Sequence, residues 1–495
     1  MPRIVALLIF FLSLLVCTAP CLAGPGLVAI GHFTHTFFGQ QAMPMDGAGT
    51  SLATGDFDGD GLEEFAIGVP FRDVDGIENM GMVFVSYRQL TTFQALPMPF
   101  GAEPFMNFGQ AVAASDINDD GYDDLVVGAP GYPGPSQRGA YVVYLGSEDG
   151  LVLDGLTTLN AGDGGRFGSS LALVGDLLFI GAPGAIVNDV AAGAVIYTVV
   201  DPNQDCVFFQ IDQSDEGVPG ASEDGDGWGS SLAISNYLPF LGIMDLWVGA
   251  PQEDIGNVAD AGAVWRFHFG LGDLCEHGLT AANVDLFYQG NGEVPGIAEE
   301  GDRFGEALAA GDFDGDGFEG VAVGVPREDR QADGLGDTGC VHIFRENGTD
   351  ACRFADDLGL TAAPGQLTGS ALAAADHDSN GFDDLLIGAP GADLDHGRQG
   401  AVMLAQGSSS DAVAPYLVFF DDADQAHSFA NFGAAVDFYD WSYKPALNPL
   451  IGIPGQDTEG QDRSGAAAEV LLSNCMLHLD GFESGDFSAW DATVP

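Results

Sequence analysis

Closely spaced acidic residues recur in the sequence with a glycine at a fixed place among them. The stretch Asp56-Phe57-Asp58-Gly59-Asp60-Gly61-Leu62-Glu63-Glu64 has side-chain oxygens at positions 1, 3, 5 and 9 and a glycine at position 6. Ca²⁺ takes about six to eight hard oxygen ligands, which a short loop supplies by alternating carboxylates with spacer residues. Gly61 permits the tight turn that such a loop needs. An ordinary Asp-Gly turn needs no such cluster, whose like charges repel one another without a cation.

The same spacing occurs four times, which predicts about four structural Ca²⁺ sites. The predicted ligands are side chains at positions 1, 3, 5 and 9 and the backbone carbonyl at position 7: Asp56, Asp58, Asp60, Leu62 and Glu64; Asp116, Asn118, Asp120, Tyr122 and Asp124; Asp312, Asp314, Asp316 and Phe318; and Asp376, Asp378, Asn380, Phe382 and Asp384. The third loop departs from the pattern, because Gly320 stands where the last carboxylate should be and Glu319 comes one position early.

The segments around the loops read as strands and not as the helices of an EF-hand. An apolar run follows the first loop and is closed by Pro70, which cannot donate to a strand ladder. Such runs end on Gly-(Ala/Val/Ile)-Pro seven times, at Pro70, Pro130, Pro183, Pro251, Pro326, Pro390 and Pro454. Five copies are preceded by an aromatic residue and glycine: Phe108-Gly109, Phe167-Gly168, Trp228-Gly229, Phe304-Gly305 and Phe432-Gly433.

Each repeat is long enough for one four-stranded antiparallel sheet and little else. A repeat spans about 60 residues, and no long segment has the 3.6-residue period of a helix. The pattern therefore predicts an all-β, seven-bladed β-propeller of four-stranded antiparallel blades. The segment Leu27 to Phe38 precedes the first repeat and is a candidate to pair into the last blade, which would close the ring and remove two exposed edges.

The order of these three motifs resembles the FG-GAP repeats of the integrin alpha N-terminal propeller, in the form of a bacterial-type secreted FG-GAP repeat protein. The resemblance covers roughly residues 30 to 474. The third, fourth and seventh copies lack the acidic loop, whereas integrin heads carry their metal in consecutive late blades. The legs and membrane helix of an integrin have no counterpart here, so the likeness is to the head alone. It implies a calcium-binding adhesion module whose partners bind the face opposite the acidic loops.

The sequence divides into three parts by composition. Residues 1–23, with one basic residue and an apolar run from Ile4 to Val16, read as a cleaved signal peptide; residues 24–474 form the propeller, and residues 475–495 a C-terminal tail. No later stretch approaches the roughly 20 apolar residues of a transmembrane helix, so no transmembrane segment is predicted. We expect a secreted, extracellular or cell-surface protein, with the periplasm as an open alternative.

Charge narrows the range of partners. The net charge of −59 argues against nucleic acid and against anionic membrane surfaces, and it suits a secreted, metal-loaded or salt-exposed protein. The expected partner is an extracellular protein or acidic glycan. On the face opposite the acidic loops, arginines are expected to gather in a chain almost devoid of positive charge: Arg72, Arg138, Arg327, Arg330, Arg398 and Arg463, joined by Arg166 and Arg303. Two interpretations stay open. The arginines pair with neighbouring acids across blade boundaries, or some of them bind a carboxylate of a protein or acidic glycan through bidentate contacts.

An enzyme is the competing class, as a propeller-fold polysaccharide lyase or hydrolase with its site on the same face. Asp395, His396, Arg398 and His427 fall near one another around the sixth blade. Their spacing gives no sign of a nucleophile, a general base or an oxyanion hole, and no serine elbow, phosphate loop or zinc signature is present. We therefore expect a binding protein and not an enzyme.

Cysteine usage predicts one disulfide. Cys340 and Cys352 lie at the two ends of a probable hairpin, which makes them the expected pair in an oxidising compartment. Cys206, Cys275 and Cys475 stay unassigned.

Overall fold

Seven antiparallel sheets follow one another along the chain. The computed structural model describes residues 26–33, 45–87, 92–99, 101, 103–132, 138–158, 165–200, 208–238, 243–270, 284–345, 348–349, 351–393, 399–409, 413–419, 431–439, 447–455 and 466–473. Within these ranges every regular element is a strand. The seven-bladed, four-stranded β-propeller predicted from the repeats is confirmed.

The strands are numbered in chain order. Strand β1 spans Gly26–Phe33. Blade 1 contains β2 (Leu52–Gly55), β3 (Glu64–Val69), β4 (Met82–Tyr87) and β5 (Thr92–Pro97). Blade 2 contains β6 (Val112–Ser115), β7 (Asp124–Gly128), β8 (Ala140–Leu145) and β9 (Val152–Thr158). Blade 3 contains β10 (Ser170–Val174), β11 (Leu177–Ala182), β12 (Ala194–Val199) and β13 (Phe209–Ile211). Blade 4 contains β14 (Ser231–Leu238), β15 (Ile243–Ala250), β16 (Ala263–Gly270) and β17 (Val284–Phe287).

Blade 5 contains β18 (Leu308–Gly311), β19 (Gly320–Val325), β20 (Cys340–Arg345), β21 (Gly348–Thr349) and β22 (Arg353–Phe354). The short strands β21 and β22 both pair with β20 and together take the place of a fourth strand. Blade 6 contains β23 (Ala371–Ala375), β24 (Asp384–Ala389), β25 (Ala401–Gly407) and β26 (Val413–Phe419). Blade 7 contains β27 (Ala435–Tyr439), β28 (Asn448–Ile453) and β29 (Ala466–Ser473).

The first strand of each blade lies on the inside of the ring. Strands β2, β6, β10, β14, β18, β23 and β27 contact one another in this order, and β27 contacts β2 again. Because successive strands of a blade are antiparallel, the turns between first and second strands all lie on one face of the ring, which we call the loop face. The turns that follow the second strands lie on the other face, which we call the opposite face.

The N-terminal strand closes the ring. Strand β1 pairs antiparallel with β29 and supplies the fourth strand of blade 7, in the order β1-β29-β28-β27. Its register runs from Gly26 opposite Ser473 to Phe33 opposite Ala467. The predicted pairing of this segment with the last blade is therefore confirmed for residues 26–33; residues 34–38 lie outside the described residues.

The glycines of the two repeat motifs allow neighbouring blades to touch through their backbones. A Cβ atom on Gly68 would lie 2.1 Å from the carbonyl oxygen of Gly109 in the next blade. The glycine before each of the other six repeat prolines meets the next blade in the same way, at 2.0–2.4 Å. Each aromatic-Gly glycine also donates its N–H within its own blade, as Gly109 does to the carbonyl of Gly128 at 3.0 Å. Any larger residue would force these blades apart.

Apolar side chains fill the seven interfaces between blades. Separate buried clusters occupy each junction, including the one between blades 7 and 1. The five motif aromatics, Phe108, Phe167, Trp228, Phe304 and Phe432, are fully buried in these clusters. These rings therefore pack between neighbouring blades. Ala48 and Thr368 take the corresponding places in blades 1 and 6.

Candidate metal centres

The four acidic loops lie together on the loop face, in blades 1, 2, 5 and 6. Each one connects the first strand of its blade to the second. Blade 3 replaces the loop by a two-residue turn, Gly175-Asp176. Residues 239–242 and 440–446, at the corresponding turns of blades 4 and 7, lie outside the described residues.

One hydrogen-bond pattern shapes all four loops. The position 1 carboxylate accepts the N–H of the position 6 glycine, at 2.9 Å in each loop: Gly61 to Asp56, Gly121 to Asp116, Gly317 to Asp312 and Gly381 to Asp376. The position 5 side chain accepts the N–H of position 7, as Asp60 does from Leu62 at 3.0 Å. These bonds hold the oxygens of positions 1 and 5 on the inside of the turn.

Two left-handed residues bend each loop. Position 6 is glycine throughout, with φ between 84° and 89°. Position 4 also has positive φ and is Gly59, Asp119, Gly315 or Ser379, at 69°, 56°, 69° and 57°. Glycine, aspartate and asparagine adopt this region most easily, and three of the four loops have glycine or aspartate at position 4. The sequence thus indicates a turn at position 4 as well as at position 6.

Three of the loops gather three carboxylates whose ligand atoms all lie within 4.8 Å of one another. The triads are Asp56, Asp58 and Glu64; Asp312, Asp314 and Asp316; and Asp376, Asp378 and Asp384. In the blade 2 loop the amide of Asn118 supplies the position 3 oxygen. The first loop also holds a buried oxygen, Asp56 Oδ1, that accepts no hydrogen bond. An orphaned oxygen among converging carboxylates fits a hard, oxygen-seeking cation such as Ca²⁺.

Crowding and burial disfavour the ionised acids in the absence of a cation. Burial, followed by repulsion from Asp58, Asp60 and Asp56, raises the pKa of Glu64 to about 8. Burial likewise raises the pKa of Asp384 to about 7 and that of Asp124 to about 6, with smaller contributions from the neighbouring loop acids. A bound divalent cation would reverse this balance by favouring the charged forms.

The acid at position 8 joins adjacent blades. Asp123 of blade 2 accepts the N–H of Asp56 in blade 1 at 2.8 Å. Asp383 of blade 6 accepts the N–H of Asp312 in blade 5 at 2.7 Å. The ligand spacing did not reveal this role, although a doubled acid at positions 8 and 9, such as Asp123-Asp124, is visible in three of the loops.

Glu319 is therefore a position 8 residue and not a displaced ligand. Its carboxylate accepts hydrogen bonds from the backbone N–H and the side-chain amide of Asn236 in blade 4, at 2.8 and 3.1 Å. Position 9 is Gly320, where a Cβ would lie 2.2 Å from the carbonyl oxygen of Phe344. Arg345 places Nη1 3.9 Å from Asp314 Oδ2. The blade 5 loop thus lacks one acid ligand and has a guanidinium beside another.

In blade 4 a network of charged side chains lies at the end of the sheet that belongs to the loop face. Asp245 and His268 form a cross-strand pair in which His268 Nδ1 is 2.6 Å from Asp245 Oδ1. His268 Nε2 lies 3.5 Å from Asp285, which also accepts the Nε–H of Arg266 at 3.1 Å. Arg266 stacks over Trp247 and Phe287.

We expect His268 to make the stability of blade 4 depend on pH. The hydrogen bond to Asp245 raises the pKa of His268 against the opposing effect of burial. A raised folded-state pKa means that the stabilisation is complete below the ordinary histidine value of about 6.5 and is lost as pH rises through the folded value. Urea unfolding at saturating Ca²⁺ should show this loss in the wild type and not in His268→Gln. Parallel pH profiles of the two proteins would contradict it.

The predicted arginines differ in how far they reach solvent on the opposite face. Arg72 is buried and forms an ion pair with Asp46 at 2.6 Å, so its guanidinium is not available to a surface ligand. Arg327 is exposed and Arg138 is half-buried. Arg330 is half-buried, lies 2.8 Å from Asp356 and 3.6 Å from Asp333, and stacks over Phe354. Arg398 and Arg463 lie outside the described residues.

The structure places Cys340, the first residue of β20, in a disulfide with Cys352, and their Cα atoms are 5.6 Å apart. The candidate residues of the enzyme alternative, Asp395, His396, Arg398 and His427, lie outside the described residues, as do Cys206, Cys275 and Cys475. Among the residues that the structure does describe, no helix is long and apolar enough to cross a membrane.

These features define a seven-bladed β-propeller whose repeats carry aspartate-rich loops on one face. Comparison with known proteins agrees: the FG-GAP repeat family matches residues 48–85, 108–145, 304–344 and 368–403, which lie in the four blades that carry the acidic loops. The chain therefore carries FG-GAP repeats in four of its seven blades.

Integrin alpha chains are similar to parts of this protein. Integrin alpha pat-2 of Caenorhabditis briggsae is 29% identical over 246 residues, which is 46% of this chain and 19% of that protein. Integrin alpha-8 of Gallus gallus is 36% identical over 153 residues, or 30% of this chain and 14% of that protein. Integrin alpha-5 of Xenopus laevis is 32% identical over 220 residues, or 41% and 20%. The matched segments thus span a fifth or less of these relatives.

Proposed function

We propose that the protein is an extracellular, calcium-loaded propeller that acts as an adhesion or ligand-binding module. The observation that carries this proposal is that the FG-GAP matches fall on the four blades with acidic loops, in a chain whose relatives are integrin alpha chains. Residues 1–23 would direct secretion, residues 24–474 would form the module, and residues 475–495 would be a tail outside it.

Calcium in this proposal is structural. The loops of blades 1, 2 and 6 have oxygen donors at positions 1, 3, 5 and 9, and they join the innermost strand of each blade to the next. The loop of blade 5 lacks the position 9 donor, so we assign it the weakest site. The loops lie far from the opposite face along each strand, which separates metal binding from partner binding.

The opposite face has the composition of a contact surface. Five exposed large apolar residues lie in its turns: Met45, Phe71, Phe105, Ile186 and Ile297. Scattered exposed apolar residues are common, but five on one face of a strongly acidic chain mark that face as an interaction surface. Arg327 and Arg330 lie among these turns and suit the carboxylate of an extracellular protein or acidic glycan.

The proposal is tested by capture of extracellular protein and glycan by the immobilised chain, with calcium and with a chelator. We expect calcium-dependent capture without release of sugar or peptide fragments. The double substitution Arg327→Ala and Arg330→Ala should abolish capture and change the free energy of unfolding by no more than about 1 kcal/mol, as expected for ion pairs at the surface. Arg345→Ala, at a half-buried arginine on the loop face, controls for loss of charge alone and should retain capture.

Two results would argue against the proposal. If capture and stability fall together in the double variant, the arginines act within the fold and not on a ligand. If fragments are released without stable capture, the protein is an enzyme, and His396 and His427 become the residues to substitute first.

A further inference from the structure

Four turns on the opposite face share one backbone contact, in which a carbonyl accepts an N–H from the turn after the second strand: Asp46 from Phe71, Asp226 from Gln252, Asp302 from Arg327 and Gln366 from Gly391. In three of these turns the side chain of the same residue also accepts the backbone N–H of the residue three positions earlier: Asp226 from Glu223 and Asp302 from Glu299, both at 2.6 Å, and Gln366 from Ala363 at 2.8 Å. We call Asp46, Asp226, Asp302 and Gln366 the turn residues.

The residues that follow the four N–H donors of these turns differ in charge, and we call them the facing residues. They are Arg72 after Phe71, Glu253 after Gln252, Glu328 after Arg327 and Ala392 after Gly391. In blade 1 the pair is Asp46 with Arg72, whose charges cancel. In blade 6 the pair is neutral. In blades 4 and 5 both members are acids. The turn itself therefore does not require two acids, because the same backbone bonds form with a balanced pair and with a neutral one.

The two acid pairs are deeply buried. Asp226 and Glu253 are 2% and 6% exposed, and Asp302 and Glu328 are 2% and 7% exposed. Burial, and in each pair repulsion between its two members, raises the pKa of Glu253 and of Asp302 to about 8. Two buried like charges need a counter-charge. In blade 1 the guanidinium of Arg72 balances Asp46, whereas no described cationic side chain balances the acid pairs of blades 4 and 5.

A glutamine adds an orphaned oxygen to each pair. Gln213 donates its Nε2–H to Glu253 at 2.8 Å, and Gln289 donates to Glu328 at 2.7 Å. Both side chains are at least nine-tenths buried, and the Oε1 atom of each accepts no hydrogen bond. A buried carbonyl oxygen without a donor is costly, and here the same cost occurs twice beside the same pair of acids.

The sequence repeats the arrangement with identical spacing. Both segments read Gln-x₄-Val-Pro-Gly-x₂-Glu-x-Gly-Asp, from Gln213 to Asp226 and from Gln289 to Asp302. The Val-Pro-Gly glycine covers the glutamine: a Cβ on Gly220 would lie 3.6 Å from Gln213 Nε2 and 3.7 Å from Glu253 Oε1, and one on Gly296 would lie 3.0 Å from Gln289 Nε2.

We propose that each of these two sites, Gln213-Asp226-Glu253 and Gln289-Asp302-Glu328, binds a divalent hard cation such as Ca²⁺ in the place that the Arg72 guanidinium takes in blade 1. All the donors are oxygens, which such a cation prefers. A shared proton would cancel only one of the two charges and leave the glutamine oxygen without a partner, whereas a divalent cation would balance both acids and attract that oxygen. The sites are on the face away from the acidic loops and do not depend on the adhesion function.

The first test counts ions on the full chain. After equilibration with Ca²⁺ and removal of free ion, the double variant E253Q/E328Q should hold two fewer ions per chain than the wild type. An equal count in the two proteins would show that protons neutralise the acid pairs and would overturn the proposal.

A second test uses terbium(III) as an optical substitute for Ca²⁺ and starts from the wild-type chain. Trp265 lies beside the first site, because its Cζ2 atom would be 3.2 Å from a Cβ on Gly220. Excitation of tryptophan should therefore produce terbium emission, part of which comes from this site; E253Q should lower the emission, and E328Q, in the next junction, should lower it less. No emission from the wild type, or equal emission from the wild type and E253Q, would overturn the proposal even if the double variant did not fold.

Discussion

A chain that lacks residues 26–33 should fail to form a stable, soluble propeller. Strand β1 is the outer strand of blade 7, so its removal leaves one edge of β29 unpaired along its length, while the other edge stays paired with β28. Residues 466–473, Ala-Ala-Ala-Glu-Val-Leu-Leu-Ser, would then form an exposed apolar edge, which favours aggregation. Because the last blade loses one of its three strand pairings and the ring its closing strand, we expect a loss comparable with a whole domain's stability of about 5–15 kcal/mol. Solubility and thermal unfolding after expression measure the outcome.

A permuted chain provides the matched control. Moving residues 26–33 to follow Ser473 through a short turn would make β29 and β1 an ordinary third-and-fourth-strand hairpin, as in the other blades. We expect this permutant to recover the wild-type unfolding midpoint. A truncated chain that folds as well as the permutant would show that the ring does not need its closing strand.

Removal of divalent cations should lower the free energy of unfolding by about 4 kcal/mol. A tenfold excess of ion over its dissociation constant stabilises by about 1.4 kcal/mol per site, and the loops of blades 1, 2 and 6 give three complete sites. In the absence of a cation, burial and repulsion from the neighbouring loop acids raise the pKa of Glu64 to about 8 and that of Asp384 to about 7. A bound ion would relieve this repulsion. Urea unfolding with Ca²⁺ and with a chelator gives the difference directly.

The same substitution in two loops should distinguish a complete metal site from an incomplete one. Asp60 and Asp316 both occupy position 5, and each accepts the N–H of position 7, at 3.0 and 2.9 Å. Asp60→Ala should reduce the chelator effect by about one site, or roughly 1.4 kcal/mol. Asp316→Ala should change it much less, because Gly320 supplies no ligand and Arg345 already lies near Asp314. Equal reductions would mean that the blade 5 loop is a complete site.

The architecture could be predicted from the sequence because its signals repeat. The seven Gly-(Ala/Val/Ile)-Pro segments, the aromatic-Gly pairs and the acidic loops each recur in the same order, so blade number, strand direction and loop position followed from their spacing. The closing strand was also predictable, since Leu27 to Phe38 had no other blade to join. Among the described strands, those of blade 5 depart from the plain four-strand scheme, because β20 pairs with two short strands in place of one.

Contacts between blades were harder to predict, because they join residues that are far apart in the sequence. Glu319 looked like a ligand placed one position early, and only its hydrogen bonds to Asn236 show that it belongs to the position 8 series with Asp123 and Asp383. Arg72 looked like a surface residue, and its burial follows from Asp46, which precedes the same blade's first strand. The spacing of metal ligands is a pattern within one loop, whereas the contacts of Glu319 and Arg72 depend on residues that are distant in the sequence.

The position of β29 has a mechanical consequence. The segment that ends at Ser473, strand β29, is held on one side by β28 and on the other by β1. Tension applied through that segment while the opposite face is anchored would load both ladders of hydrogen bonds in shear, so that many bonds share the force at once. An outermost strand under the same tension would be held by one ladder in place of two. The closing strand therefore gives the chain a force-resistant attachment point.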